Sequence, residues 1–307
     1  MSLAQAVVMV EPRDFGFNDE TALDNAFQHH PDESIEVTRH RALSEFWAMV
    51  ELLDKHHLEV LTLSSPDNVT VPDAVFPNNW FSTTHSELII YPMKTANRQQ
   101  EVQAKLLSEK LEQSGFAIEQ IIELQDEQHL GGILEGTGVL VIDHQSRELY
   151  ANLSERCESV ALRRFAEMFD YAVWPMHAMT SFSVPVYHTN VLMAVGLDFA
   201  VIARDILTAD DGNRRAMERL YETKQDVIEI SEQQMVEGMC GNILQLQSTR
   251  GEPMIVMSES ARKSFSAEQI QCLEKHGSLV SAEIDTIEYV GGGSARCMLA
   301  EIFLQKA

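Results

Sequence analysis

The feature that most limits the fold of this 307-residue chain is a repeat of long period. One polar or nucleophilic residue recurs at the same place in five stretches of similar pattern: Asn79, Thr137, Asn190, Asn242 and Cys297. The intervals between them are 58, 53, 52 and 55 residues. A near-constant period marks a chain built from copies of one supersecondary unit. Each unit holds one helix among short strands. Residues 39–55 carry an apolar stripe of Leu43, Phe46, Trp47, Val50 and Leu53, which predicts an amphipathic helix. Residues 98–113, 156–170, 213–223 and 266–275 read the same way. Strands are predicted at 57–63, 74–82, 87–91, 117–123, 134–142, 148–152, 172–176, 185–194, 198–203, 226–230, 240–247, 253–257 and 278–284. A last strand is expected to open in 294–303, beside 6–10 near the other end of the chain. The order amounts to five ββαβ units. A ring of such units joins its own ends and leaves a central channel where loops converge. No Gly/Ser- or Pro-rich linker divides the chain, so residues 1–307 are read as a single domain.

Charge and cysteine usage exclude several function classes. There are 23 Lys and Arg against 47 Asp and Glu, a formal charge of −24. Nucleic-acid affinity rests on clustered cations, so no nucleic-acid partner is expected. An anionic membrane surface would repel the chain as well. The apolar stretches at 134–142 and 191–203 are too short to span a bilayer. The opening MSLAQAVVMVEPRDFGF lacks a cationic leader and does not read as a signal peptide. Cys157, Cys240, Cys272 and Cys297 are widely spaced with no CxxC pair, which argues for free thiols in a reduced, cytoplasmic protein. The 11 histidines form no HExxH or comparable spacing, so no metal and no cofactor is expected.

Several short segments carry chemistry. Gly291-Gly292-Gly293-Ser294-Ala295-Arg296-Cys297 places a thiol just after a loop that lets backbone approach a ligand closely. Cys297 is therefore the candidate nucleophile. Cys240 in Met239-Cys240-Gly241-Asn242 is its competitor, and Cys272 reads as helix packing. The triple glycine lacks the spacing and the Lys-Ser/Thr pair of a nucleotide loop. His188 and Asn190, two apart in a predicted strand, would share one face. Glu135, before Gly136-Thr137-Gly138, is placed to orient a histidine. Asn78 and Asn79, between Phe76-Pro77 and Trp80, offer donors and acceptors for recognition. Arg156 is suited to a substrate carboxylate through a bidentate pair.

Together these positions resemble the guanidine-modifying enzymes of the pentein fold: arginine deiminases, dimethylarginine hydrolases and amidinotransferases. GGGSARCM resembles the late cysteine motif and puts the nucleophile at Cys297. His188-Thr189-Asn190 resembles the His-x-Asp motif. Glu135-Gly136-Thr137-Gly138 resembles the acid-Gly-Gly-Asp motif, with Glu135 as catalytic acid. Phe76-Pro77-Asn78-Asn79 resembles Phe-x-Arg-Asp, and Glu155-Arg156-Cys157 resembles Glu-Arg-Thr, whose Arg holds the substrate carboxylate. The stretch 7–18 resembles the start of the citrulline-utilisation branch. The resemblance implies an α/β propeller of five ββαβ units about a pseudo-fivefold axis. It also implies a cofactor-free cysteine hydrolase acting on a small amino acid, and a homo-oligomer is compatible with it. Cys240 becomes a repeat position without catalytic duty.

The departures bear on the substrate. Where arginine-type enzymes grip a guanidinium with two aspartates, this chain has Asn79 and Asn190. A buried cation without counter-charge is unfavourable. A neutral ureido group wants both donors and acceptors, and amides supply both. The expected reaction is L-citrulline to ornithine, carbon dioxide and ammonia through a covalent Cys297 intermediate. The alternatives are an arginine deiminase or amidinotransferase, and a catalytically inactive binding module. Asp73, six residues before Asn79, is close enough in sequence to replace a missing carboxylate.

Overall fold

The computed structural model describes residues 3–125 and 130–307. Strands β1 (Ala6–Val10) and β2 (Glu59–Leu63) run parallel, with Val8 opposite Leu61. Four units of one plan follow. They are β3 (Phe81–Thr83), β4 (Glu87–Ile90) and β5 (Gln120–Glu123); β6 (Val141–Asp143), β7 (Glu148–Asn152) and β8 (Ala172–Met176); β9 (Met193–Val195), β10 (Phe199–Ile202) and β11 (Asp226–Glu229); and β12 (Leu244–Gln247), β13 (Pro253–Ser258) and β14 (Ser278–Ala282). In each, the first strand is antiparallel to the second and the second is parallel to the third. Strand β15 (Ala300–Ile302) returns to β1, antiparallel, with Val7 opposite Glu301. The fifth sheet is therefore the same unit assembled from both ends of the chain. The parallel step in each unit needs a crossover, which the helices supply.

Those helices form where the sequence caps them. Ser34 caps Ile35–Lys55 by accepting from the Val37 amide, which starts this helix four residues before the predicted point. Its buried stripe is Thr38, Ala42, Phe46, Met49 and Leu53, and Trp47 lies on the exposed rim rather than on the stripe. Asp210 caps Asp211–Thr223, and Ser266 with Gln269 forms a capping box on Ala267–Leu273. The predicted helix 98–113 is broken: Ala96–Gln99 and Ala104–Gln113 are separate. The helices cover one side of each sheet, and β10 is buried along its whole length, as expected of a strand packed on both faces.

The largest difference from the sequence reading lies at the repeat positions. The sequence predicts strands throughout 74–82, 134–142, 185–194 and 240–247, and a strand opening in 294–303. Each instead opens with a single tight turn and only then becomes a short strand. Asn79 ends the turn Pro77–Asn79, Thr137 lies in Gly136–Val139, and Asn190 lies in Thr189–Leu192. Asn242 closes on Met239, and Cys297 closes on Ser294. Neighbouring units meet through these turns and the inner strands β3, β6, β9, β12 and β15. No helix among the described residues is long and apolar enough to cross a membrane.

Candidate functional site

Cys297 is 3% exposed and sits on the turn that precedes β15. Two amides converge on its sulfur: Asn190 Nδ2 at 3.3 Å and Asn242 Nδ2 at 3.2 Å. The Cys297 backbone N–H in turn donates to Asn242 Oδ1 at 3.3 Å. Asn242 also donates to the Asn190 carbonyl at 2.9 Å, so one amide ties three of the five repeat turns to the thiol. The other cysteines lie in different surroundings. Burial pushes both Cys157 and Cys240 up to about 12, far from thiolate formation at neutral pH.

His188 Nε2 and Glu135 Oε2 are 2.8 Å apart, both buried. Burial alone would raise the Glu135 carboxyl. The Arg156 guanidinium and the His188 hydrogen bond overcome it, and the group is held well below the usual carboxylate range. Burial lowers His188 to about 4, against the pull of Glu135. At neutral pH an ionised Glu135 thus faces a neutral imidazole. A carboxylate can only accept, so His188 carries its proton on Nε2 and presents a lone pair on Nδ1. That lone pair faces the gap left by Gly138. A Cβ at Gly138 would lie 3.1 Å from His188 Nδ1 and only 2.1 Å from Asn79 Nδ2.

Around this pair lies a dense set of charges, buried at Arg98, Glu101 and Arg156 and more exposed at Lys94 and Glu155. Arg98 forms a forked pair with Glu101, Nε to Oε1 at 3.0 Å and Nη2 to Oε2 at 2.9 Å. Arg156 donates to Glu135 at 3.3 Å and, through Nε at 3.2 Å and through Nη2, to Asp24. Its guanidinium also lies over the Tyr187 ring at 4.8 Å. Lys94 Nζ reaches Asp24 at 2.7 Å and also contacts Glu155. Burial, resisted by Arg98, pushes Glu101 up to about 7. Burial likewise raises Asp73, whose Oδ2 accepts from Asn18 and Thr21 at 2.7 and 3.2 Å. The basic groups are thus already matched by acids.

The amides are oriented by this frame. Arg98 has only donors, so Asn79 must turn its Oδ1 to Arg98 Nη1, 2.7 Å away. That leaves Asn79 Nδ2 buried with no partner. Asn190 is the reverse: its Nδ2 goes to sulfur and its Oδ1 is buried and unpartnered. Asn78 Nδ2 and Oδ1 and Asp73 Oδ1 are also buried without partners. Buried polar atoms are normally satisfied, so such a concentration in one place points to a ligand.

The structure thus brings Cys297, Asn190 and Asn242 together, and pairs Glu135 with His188 and Arg156. Three sequence expectations change. His188 and Asn190 do not share a strand face: His188 is extended and Asn190 lies on the helical turn after it. The triple glycine makes room for protein rather than ligand. A Cβ at Gly291 or Gly293 would lie 2.8 Å from the Phe76 ring, and Gly292 has φ +67° against the backbone of Gln28. Arg156 faces Asp24 and Glu135 rather than open space. Sequence reading missed the active part of Asn242, together with Arg98, Glu101 and Asp24. Asn242 was visible as a repeat position, whereas the arginine and the acids come from a helix break and a loop that carry no repeat signal.

A five-unit α/β propeller with a buried thiol, an imidazole–carboxylate pair and amides at its hub defines a pentein of the guanidino-modifying superfamily. The chain belongs to the family described as N,N dimethylarginine dimethylhydrolase, eukaryotic, whose model matches residues 11–304. That family is one of hydrolases within the pentein guanidino-modifying superfamily. Among solved structures, the arginine dihydrolase ArgZ of the ornithine–ammonia cycle in cyanobacteria superposes with a TM-score of 0.73 at 18% identity. The alignment covers 98% of this chain and 41% of ArgZ, so this chain spans about two fifths of that protein. The N-terminal domain of ArgZ, as a Cys-to-Ser mutant bound to substrate, gives 0.70 at 17% identity, covering 96% of this chain and 97% of the domain. The dimethylarginine dimethylhydrolase of Pseudomonas aeruginosa, as a Cys-to-Ser mutant complexed with citrulline, gives 0.67 at 13% identity, covering 98% and 100%. No curated protein matches the chain.

Proposed function

We propose that this chain, as one catalytic unit, hydrolyses the ureido group of L-citrulline to ornithine, carbon dioxide and ammonia. The observation that carries this reading is the orientation of the two asparagines. Asn79 offers its donor to the site because Arg98 holds its acceptor. Asn190 offers its acceptor because the thiol takes its donor. A ureido group complements that pair, with a carbonyl oxygen for Asn79 Nδ2 and an N–H for Asn190 Oδ1. A guanidinium has donors only and would set one against Asn79 Nδ2. The charge balance supports the same reading, because Asp24, Glu101 and Glu135 are already paired with Lys94, Arg98 and Arg156.

In this mechanism the Cys297 sulfur attacks the ureido carbon and its proton passes to His188 Nδ1. The imidazolium is stabilised by Glu135. Asn79 Nδ2 meets the charge that develops on the carbonyl oxygen. His188 returns the proton to the departing ornithine amine, leaving an S-carbamoyl enzyme. Water, deprotonated by His188, then releases carbamate, which decomposes to carbon dioxide and ammonia. Arg156 holds the substrate α-carboxylate. Asp24, which bridges Arg156 and Lys94, must give way for that contact to form. Asn78, unpartnered at both ends, lies beside Asn79 to receive the remaining polar atoms of the substrate.

A second reading, hydrolysis of a guanidine such as arginine or a methylated arginine, is favoured by the family and by the free Asp73 Oδ1. Product analysis separates the two. Purified protein is incubated with L-citrulline, L-arginine or dimethylarginine, with Cys297→Ala beside it. Ornithine from citrulline, absent with Cys297→Ala, is the expected result. Citrulline from arginine or dimethylarginine, with none consumed further, would replace the ureido reading with the guanidine one.

A further inference from the structure

Away from the hub, three metal-type side chains from two neighbouring units meet at one place. Asp226 opens β11 in the unit of β9–β11. Cys272 lies on the helix Ala267–Leu273 and His276 just after it, both in the next unit. One donor atom from each lies within 4.8 Å of the other two. We propose that Asp226, Cys272 and His276 form a binding site for a thiophilic divalent cation of the zinc class, which fastens these two units together.

The donor chemistry fits that class. A thiolate, an imidazole and a carboxylate are three protein ligands with a fourth position left to water. The soft thiolate selects zinc-like ions over calcium and magnesium. Cys272 and His276 are separated by three residues, a spacing that brings two side chains to one face at a helix end. The sequence hid the set because its third member stands 46 residues earlier in another unit. The site is also held in place. His276 Nε2 is already 2.9 Å from Asp226 Oδ2, its backbone oxygen accepts from Gln245 Nε2 at 2.8 Å, and its ring packs on Phe199 at 5.0 Å. Such outer contacts orient a ligating imidazole. The His276 side chain is 7% exposed and Asp226 22%, so the position is half-sheltered yet reachable from solvent.

The structure already draws a cation to this place. Lys275 Nζ lies 3.8 Å from Asp226 Oδ1 and 4.0 Å from Cys272 Sγ. Its side chain is largely exposed and can swing into solvent when a metal arrives. Binding releases the Cys272 thiol proton to water, and His276 offers the Nε2 lone pair to the metal.

The test uses the intact chain with Cd2+ and Zn2+. One equivalent of Cd2+ should give a thiolate-to-metal charge-transfer band in the wild type and in Cys297→Ser. The band should be absent from Cys272→Ser, and Asp226→Asn should weaken binding by about 100-fold. Zn2+ should raise the melting temperature of the wild type, because a ligand of the native state stabilises it. Lys275→Ala should bind more tightly. A band that survives in Cys272→Ser, or disappears in Cys297→Ser, would overturn the assignment by moving the metal elsewhere. Absence of any band or shift in the wild type would refute it outright. Should Cys272→Ser not fold, protection of Cys272 from alkylation by Zn2+ in the wild type, mapped by peptide mass spectrometry, decides the same question.

Discussion

Replacing Asn79 by aspartate changes one atom of the site from donor to acceptor and leaves its shape alone. Arg98 still finds an oxygen at the position of Oδ1, so the side chain should keep its orientation. The atom facing Gly138 and His188 becomes a carboxylate oxygen. A ureido carbonyl gains negative charge as the sulfur attacks, and that charge would now meet an acceptor. Loss of one preorganised donor to such an oxygen lowers kcat by about 10²–10³, or roughly 3–4 kcal/mol. The added repulsion places Asn79→Asp at the upper end, so kcat/KM for citrulline should fall about 10³-fold. Asn79→Ala removes the donor without the charge and should lose about 10². Initial rates of ornithine release from citrulline, and of citrulline release from arginine, are measured for all three proteins. Melting temperatures are taken alongside, because the new carboxyl lies near the buried acids Asp73 and Glu101. The preference for citrulline over arginine should shrink in Asn79→Asp and persist in Asn79→Ala. If Asn79→Asp kept kcat/KM for citrulline within about 3-fold of wild type, Asn79 Nδ2 would not face the reacting oxygen and the argument would fail.

Three other expectations follow from the same geometry. Asn242→Ala removes one of two donors on Cys297 and the brace between repeat turns; kcat should fall about 10-fold or more with little change in KM, since a small misplacement of a nucleophile is expensive. An unchanged kcat would reduce Asn242 to a spacer. Gly138→Ala forces a methyl to within 2.1 Å of Asn79 Nδ2, so activity should be lost and stability should drop by about 1–3 kcal/mol, read as a lower melting temperature; a normal enzyme would show that the hub relaxes freely. His188 and His144 are both lowered to about 4 from 6.5, with burial as the leading cause. Between those pH values the unfolded chain binds more protons, so stability is full above about 6.5 and declines as pH falls to about 4, by up to about 3 kcal/mol per histidine. His144→Gln should flatten the stability–pH curve in that window, and an unchanged slope would contradict the assignment for His144.

The repeat made most of this fold legible, and the reason is physical. Burying one face of a ββαβ unit demands the same alternation of strand and helix each time, so the period survives in the pattern of apolar residues. The pairing of β15 with β1 follows because the fifth unit, which holds only β1 and β2 at the start of the chain, otherwise lacks its inner strand. What the pattern hid is the hub. Apolar periodicity reports which residues face a core, but Asn79, Thr137, Asn190 and Asn242 are buried polar residues at the start of apolar strands, and each bends its chain into a turn to satisfy its backbone. Reading those stretches as uninterrupted strands assigned His188 and Asn190 to a shared face that does not exist. Their nearness to the same chemistry comes from the turn, which carries Asn190 toward Cys297 while His188 turns to Glu135. The amide orientations were hidden for a different reason. Sequence places an asparagine but not its donor end; that was decided by Arg98, on a helix cut short at Gln99, whose only capacity is to donate. On the proposed ureido reading, the choice between a ureido and a guanidino substrate rests on a cation that need not touch the substrate at all, and it works by fixing which half of the Asn79 amide the substrate meets.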